Sequence, residues 1–300
     1  MAEIEIEDTY CEAFDGLFTR ICVTARDEKR LKQAAYSATA LPCTVFGESE
    51  GGIERWLSER ETPDGRKGAI IQFWVNYGVD APKKLEYEVS KRIRQGILVV
   101  PTTAVFNASA FTFDSGHDWQ IDTMDKIGHC GDGYETVEHR FGREVIAVPI
   151  MMGEFLVERY LSYDKGVMGG NVWFFCESIE AGLEAGEKAV EAIESVEGAI
   201  TPFGICAAGS KPETKYPEVG PTTNHLYCPT LVQKLSASKV PRGVHSIPEI
   251  VINGVSLDAV EEAMRAAIAS VRDVEGVVRI SAGNYGGKLG SYKIFLKALF

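Results

Sequence analysis

The chain has 300 residues, 45% of them hydrophobic, and a formal charge of -12, which argues against nucleic acid or an anionic membrane as a partner because phosphate binding depends on clustered Lys and Arg. Its longest apolar runs are strand-sized and fall far short of the roughly 20 residues that a membrane helix requires. The N-terminal sequence MAEIEIEDTY is acidic where a leader would be positively charged, so we expect a cytoplasmic, globular protein.

Hydrophobic periodicity in the N-terminal half predicts the order strand, helix, strand, strand, helix, strand. Ahead of these elements, the spacing of Asp8 and Glu12 suits the polar face of an N-terminal helix, and a role as second carboxylates at a site is the alternative. Asp27 and Pro82 stand at plausible helix starts, and Gly96 is expected to end the second helix. The six predicted elements are LFTRICVTA, DEKRLKQAAYSATA, PCTVFGE, GAIIQFWV, PKKLEYEVSKRIRQ and GILVVPTTAVF.

The C-terminal half predicts the same order of elements. They are VWFFCES, IEAGLEAGEKAVEAIESV, GAITPFGICAAG, IPEIVING, SLDAVEEAMRAAIASVRDV and GVVRISAGN. Each half then forms a βαββαβ unit, the ferredoxin-like plan. We therefore predict an α+β protein with two ferredoxin-like lobes, 1–150 and 151–300, from an internal duplication; chance similarity of two alternating halves is the alternative.

Two long irregular segments interrupt these units. Residues 108–170 are rich in Gly and Asp and are predicted to form an inserted β-rich arm and a linker. Residues 210–244 carry several prolines, and we expect them to cover a substrate or contact another subunit, since long loops in compact domains are usually functional or disordered.

The cysteines and histidines show no metal-ligand spacing. The seven cysteines include no Cys-x-x-Cys pair and are interpreted as reduced thiols, with Cys228 left open. The five histidines form no ligand pattern, and no metal is predicted.

Eight segments, in the same order and spread over nearly the whole chain, resemble the formylmethanofuran:tetrahydromethanopterin formyltransferases. They are EDTYCEAF, ETPDGRKGAIIQ, VPTTAVFNA, VPIMMGEF, DKGVMGGN, ITPF with AAGSKP, TTNHLYCPTL and ISAGNYGGKLG. The resemblance implies two ferredoxin-like lobes assembled into dimers or tetramers. It also implies formyl transfer in one-carbon metabolism and methanogenesis, with formylmethanofuran and tetrahydromethanopterin as cosubstrates and no tightly bound cofactor. A formylmethanofuran dehydrogenase or a hydrolase-type complex is the implied protein partner.

Two short segments and one single residue depart from the family pattern. Residues 94–96 read Arg-Gln-Gly where the family commonly has Gly-Gln-Cys, and residues 204–206 read Gly-Ile-Cys where it has Pro-Gly-Gly. His225 replaces an acidic residue after TTN. A non-catalytic paralogue or complex subunit that keeps the fold is therefore a second hypothesis. A ferredoxin-like ligand-sensing module is a third, and it leaves the eight segments unexplained.

Formyl transfer between two amines needs stabilisation of the oxyanion and a proton for the leaving amine. Glu249 is the predicted proton donor, because it opens the apolar run EIVING, where burial would move its pKa toward neutrality. The resemblance also places a glutamate of this segment near the reacting formyl group. The alternative is an edge-strand glutamate pointing to water.

Substrate-binding residues are expected in three further segments. The hydroxyl and amide groups of PTTAVFN would orient the formyl oxygen, and AAGSKP would meet anionic groups of the carriers. GNYGGK would line a cleft with flexible backbone, an amide and a phenol. The residues are Thr102, Thr103, Asn107, Ser210, Lys211, Gly283, Asn284, Tyr285 and Lys288. The alternatives are ordinary strand threonines, a solvated lysine, and a turn followed by a dimer contact.

Overall fold

The computed structural model describes residues 4–40, 49–109, 119–209, 211, 214–219 and 222–300. The fold is a mixed α+β fold with a large sheet and few helices. The chain divides into two compact units, Gly16–Lys165 and a second unit made of Met1–Asp15 with Gly166–Phe300. Both divisions fall inside long strands, Tyr10–Thr24 and Tyr160–Cys176.

The unit Gly16–Lys165 contains a mixed sheet with helices on one face. From edge to edge its strands are Glu50–Leu57, Gly68–Asn76, residues 16–24, Ala104–Asn107, Gly153–Glu158, Arg143–Ile150 and Thr136–Arg140. The helices Glu28–Thr39 and Ala81–Arg92 bury one side in a single apolar cluster with this sheet. Full burial of side chains such as Leu31 and Leu85 stabilises the packing by about 1.5–3 kcal/mol each.

The two helix starts follow the sequence signals. The Asp27 side chain accepts a hydrogen bond from the Arg30 N–H and caps the first helix, which begins at the next residue. Pro82 lies in the first turn of the second helix, where its missing N–H costs no hydrogen bond.

The predicted end of the second helix at Gly96 is wrong. The chain continues from Ala81–Arg92 into a π-helix, Ile93–Leu98, and the strand predicted over 96–106 is reduced to Ala104–Asn107. The reason is packing, since a Cβ on Gly96 would lie 2.7 Å from the Ala38 Cα. Glycine is needed here for close approach of two helical segments, not to stop one of them.

The segment after Ala104–Asn107 is rich in strands, as expected for a β-rich insertion. Besides the three sheet strands already given, it contains Gln120–Asp122, which pairs with residues 160–162, and a short 3-10 helix, Gly128–Gly131. The strand predicted for PCTVFGE falls on residues 42–48, outside the described residues.

The second unit has its own group of strands and its own helix pair. Its strands run in the order Ala199–Ile200, Glu249–Gly254, residues 166–176, Val277–Ser281 and Glu5–Ile6. The helices Ile179–Glu194 and Leu257–Ser270 share one apolar cluster with this sheet. Each begins after a serine, Ser178 or Ser256, whose hydroxyl accepts a main-chain N–H.

Two predictions in this unit are wrong. The N-terminal helix expected around Asp8 and Glu12 is replaced by strand Tyr10–Thr24, whose residues 10–13 pair with Tyr292–Phe295 near the other end of the chain. The strand predicted over 198–209 is only Ala199–Ile200. It ends there because Pro202 has no N–H for a sheet ladder and Gly204 turns the chain with a φ of 60°.

In the part of the chain that the structure describes, no helix is long and apolar enough to cross a membrane. The described cysteines form no disulfide. No cluster of three or more His, Cys, Asp or Glu side chains within the described ranges could hold a metal ion.

Candidate active site

Glu249 is buried at the start of strand Glu249–Gly254, with 1% of its surface exposed. It is the direct partner of Trp173 on the neighbouring antiparallel strand, so the two side chains lie on the same face of the sheet. The Trp173 Nε1–H donates to Glu249 Oε1 over 2.9 Å. The alternative of a glutamate that points to water is therefore wrong, and this carboxyl has a fixed orientation.

Glu249 lines a cavity of about 360 Å³, a size typical of small-ligand sites. The wall is mainly apolar and takes residues from the helix start at Ile179, from 205 and 207–209, from 224 and 227–230, and from 245–249. The irregular insertion thus contributes part of this wall. A carboxyl facing an apolar cavity has few competing water molecules, which strengthens any interaction with a bound ligand.

A second cavity of about 430 Å³ shares Trp173, Asn224 and Tyr227 with the first. The rings of Trp173 and Tyr227 meet edge to face with centroids 4.8 Å apart, and they form the common wall. The other residues of the second cavity include Lys211, Leu226, Lys239, Ala282, Asn284, Tyr285 and Gly286. Three predicted site residues, Lys211, Asn284 and Tyr285, therefore lie together around the wall that also holds Glu249.

Lys239 was missed by sequence reasoning. Its Nζ lies 5.7 Å from the centroid of the Tyr227 ring, a cation–π distance. Lys211 Nζ lies 3.2 Å from His225 Nδ1. Both lysines thus face one cavity of an acidic protein, but a lysine in a proline-rich loop carries no sequence signal that separates it from a solvated one.

Gly283 connects the GNYGGK loop to the Trp173 ring. Its N–H donates to Asn171 Oδ1 over 2.6 Å, and Asn171 Nδ2 donates back to the Gly283 carbonyl. A Cβ at position 283 would lie 2.8 Å from Trp173 Cζ2. The position therefore requires glycine, because the indole that holds Glu249 packs against its backbone. Lys288, in the same loop, is exposed and lines neither cavity.

The Glu12 side chain holds the loop of residues 285–290 through main-chain hydrogen bonds. The carboxylate is fully buried and accepts the main-chain N–H groups of four loop residues over distances between 2.5 and 3.0 Å. The donors are Tyr285, Gly287, Leu289 and Gly290. Burial acts to raise the pKa of Glu12, but the four donors outweigh it and lower that pKa.

The remaining predicted residues lie in the unit Gly16–Lys165, except Ser210, which lies outside the described residues. Thr102 has a left-handed φ of 69°, and its hydroxyl accepts the Arg26 N–H. The Thr103 hydroxyl is buried and donates to the Ile97 carbonyl. Asn107 Oδ1 accepts the Ser162 N–H over 3.1 Å. These three polar groups are thus already bonded within their own unit.

Comparison with known proteins identifies the family. A family model described as formylmethanofuran-tetrahydromethanopterin formyltransferase matches residues 1–150, and one described as its proximal lobe matches residues 153–299. A formyltransferase-like protein of Methanopyrus kandleri is 61% identical, with 98% of this chain and 96% of that protein covered.

Two solved structures agree. The formylmethanofuran:tetrahydromethanopterin formyltransferase of Methanosarcina barkeri has a TM-score of 0.90 and 40% identity, covering 99% of this chain and 98% of that chain. The formyltransferase/hydrolase complex of Methylorubrum extorquens with methylofuran has a TM-score of 0.87 and 33% identity, covering 99% and 96%. The chain therefore belongs to the formylmethanofuran–tetrahydromethanopterin formyltransferase family.

Proposed function

We propose that the chain is a formyltransferase that moves a formyl group between N-formylmethanofuran and a ring nitrogen of tetrahydromethanopterin, by direct transfer through a tetrahedral intermediate. The observation that carries this proposal is the buried Glu249 carboxyl, held by Trp173 and facing a cavity, in a full-length member of the family. Both carriers act as cosubstrates, and no tightly bound cofactor takes part.

Glu249 serves as the proton donor in this proposal. A carboxyl in a mainly apolar wall is more stable in its neutral form, which is the form with a proton to give to a leaving amine. The Trp173 N–H then stabilises the carboxylate that remains. The cavity keeps bulk water away from the tetrahedral intermediate, which favours transfer over hydrolysis.

The second cavity binds an anionic part of a carrier in this proposal. Lys211 and Lys239 line it and supply positive charge, while Asn284 and Tyr285 offer an amide and a phenol. Ser210, Gly283 and Lys288 remain predictions for the same region. Thr102, Thr103 and Asn107 remain predictions for orienting the formyl oxygen.

We also propose that the chain consists of two ferredoxin-like lobes derived by duplication, predicted as 1–150 and 151–300, with residues 1–15 grouped with the C-terminal lobe. The support is strand order: in each unit the first strand of the βαββαβ series lies between the third and the fourth, and the second pairs with the third. A cytoplasmic homo-oligomer is part of the proposal. A hydrolase-type partner is supported by the similar chain of Methylorubrum extorquens, which belongs to a formyltransferase/hydrolase complex.

A second function, a non-catalytic paralogue that retains carrier binding, is favoured by one observation. The Methanopyrus protein at 61% identity is named formyltransferase-like, whereas the Methanosarcina enzyme is 40% identical. The departures at residues 204–206 fall beside Glu249, since Cys206 exchanges main-chain hydrogen bonds with it. This is where a change of activity would be expected.

Mixing the purified protein with formylmethanofuran and tetrahydromethanopterin tests the two functions. Formation of the formyl-pterin, monitored by its absorbance, supports the formyltransferase function. Calorimetric binding of either carrier without turnover contradicts the enzyme and supports the paralogue. If the protein neither binds a carrier nor shows turnover, both proposals are contradicted.

A further inference from the structure

Cys206 is the main-chain partner of Glu249. The Cys206 N–H donates to the Glu249 carbonyl over 2.8 Å, and the Glu249 N–H donates to the Cys206 carbonyl over 2.9 Å, as an isolated antiparallel bridge. Two residues that exchange both hydrogen bonds are directly opposite each other, so their side chains lie on the same side. The thiol is thus held next to the carboxyl that faces the cavity.

The thiol lies close to the Glu249 carboxyl and to the main-chain N–H groups of Ala208 and Gly209. Gly209 has a φ of 73°, in the left-handed region that favours glycine. Burial and the neighbouring Glu249 charge raise the pKa of Cys206, so the group near neutral pH is an S–H donor and not a thiolate.

We propose that Cys206 is a positioning residue for Glu249. Its S–H and the Trp173 N–H together orient the carboxyl in the cavity wall, and both stabilise the carboxylate that remains after the proton has been given up. The proposal rests on the proposed function. It also gives a role to a departure from the family pattern, because a glycine at position 206 would offer no side-chain donor.

Three further titratable groups line the cavity with Glu249 and bear on any pH profile. They are Tyr227, Cys228 and His245. Burial raises the pKa of Tyr227, with a smaller contribution from Glu7. The Cys228 sulfur lies 3.4 Å from the Thr223 hydroxyl and 3.5 Å from the Asn224 carbonyl, so it has its own partners. A His245→Gln variant removes the imidazole, so that any remaining pH dependence can be assigned to the Cys206 thiol and the Glu249 carboxyl.

The first test needs no turnover. The rate of Cys206 alkylation by iodoacetamide is measured against pH and assigned by peptide mass spectrometry. In Glu249→Gln the apparent pKa of the Cys206 thiol should fall by at least about one unit, because the charge that opposes the thiolate is gone. The exposed Glu275→Gln is the control and should leave it unchanged. An unchanged thiol titration in Glu249→Gln contradicts the contact.

The second test uses turnover. Cys206→Ala should lower kcat by about tenfold with little change in KM, since one charge-assisted hydrogen bond is lost. The alkaline limb of its kcat profile, where Glu249 loses the proton that it must donate, should move to higher pH, and the same shift should be seen in the His245→Gln background. Cys206→Ser keeps a donor and should restore most of kcat.

Equal kcat in Cys206→Ala and wild type overturns the positioning role, and so does an equal loss in the serine variant. If the wild type shows no turnover, the proposed function fails, while the thiol titration still decides whether Cys206 and Glu249 are coupled.

Discussion

Two buried glutamates in one unit, Glu12 and Glu249, differ in what satisfies their carboxyl oxygens. Glu12 accepts four main-chain N–H groups and lines neither of the two cavities. Glu249 is held by Trp173 Nε1 and forms part of a cavity wall. Burial alone therefore does not indicate chemistry. A carboxylate that accepts four main-chain N–H groups stabilises a loop, whereas one that lines a cavity lies beside the space that a ligand would occupy.

The largest expected effect is that of Glu249→Gln on turnover. Loss of the proton donor should lower kcat by about 10²–10⁴-fold. The glutamine can still accept the Trp173 hydrogen bond, so the free energy of unfolding in urea should change little. The control is Glu275→Gln at an exposed site. Full activity in Glu249→Gln would remove this residue from the mechanism.

Glu12→Gln should show the opposite profile. The amide NH₂ would face main-chain N–H groups that now have an acceptor, so we expect the free energy of unfolding to fall by about 2 kcal/mol or more. Asp8→Asn is the matched control, because the Asp8 side chain is 80% exposed. Equal stability of the two variants in urea would show that the four bonds contribute nothing net.

Gly283→Ala should moderately disturb both the loop that Glu12 holds and the position of the Glu249 carboxyl. The added methyl would meet Trp173 Cζ2 at 2.8 Å, so the indole must shift and its bond to Glu249 must weaken. We expect a several-fold lower kcat, about 1 kcal/mol in the barrier, and a changed near-ultraviolet dichroism. In Gly78→Ala the Cβ enters open space, so kcat should stay at the wild-type value. A wild-type kcat in Gly283→Ala would mean that displacement of the Trp173 indole does not affect turnover.

The smallest expected effect is the loss of the Glu12 contribution to the free energy of unfolding at acid pH. Because the folded-state pKa of Glu12 is lowered, its stabilisation is present above the unfolded value of about 4.3 and is lost as pH falls through the folded value. The difference in unfolding free energy between wild type and Glu12→Gln should thus shrink below about pH 4. A difference that stays constant from pH 6 to pH 3 would contradict the lowered pKa.

Local sequence signals located the four helices, and the starts of the first two follow Asp27 and Pro82, which act within one turn of the helix. They failed where a distant contact decides the structure. Gly96 is set by the Ala38 backbone, and the N-terminal strand is set by pairing with Tyr292–Phe295. Neither partner is near in sequence.

The candidate site was predictable only in part, for the same reason. Glu249 could be found because a charged residue at the start of an apolar run is expensive to bury. The tie between Glu12 and the 285–290 loop spans more than 270 positions of the sequence and leaves no local pattern. Lys239 and Cys206 gain their meaning only from the cavity and from the bridge to Glu249.

The membership of the first fifteen residues in the C-terminal unit limits how such genes can recombine. These residues supply strand Glu5–Ile6, the partner of Tyr292–Phe295 and the Glu12 carboxylate. A chimera of two paralogues joined near residue 150 would combine the 285–290 loop of one parent with the N-terminal segment, including Glu12, of the other. Hybrids that also transplant residues 1–15 keep each parent's own pairing, so they are the exchanges that a library of active variants should retain.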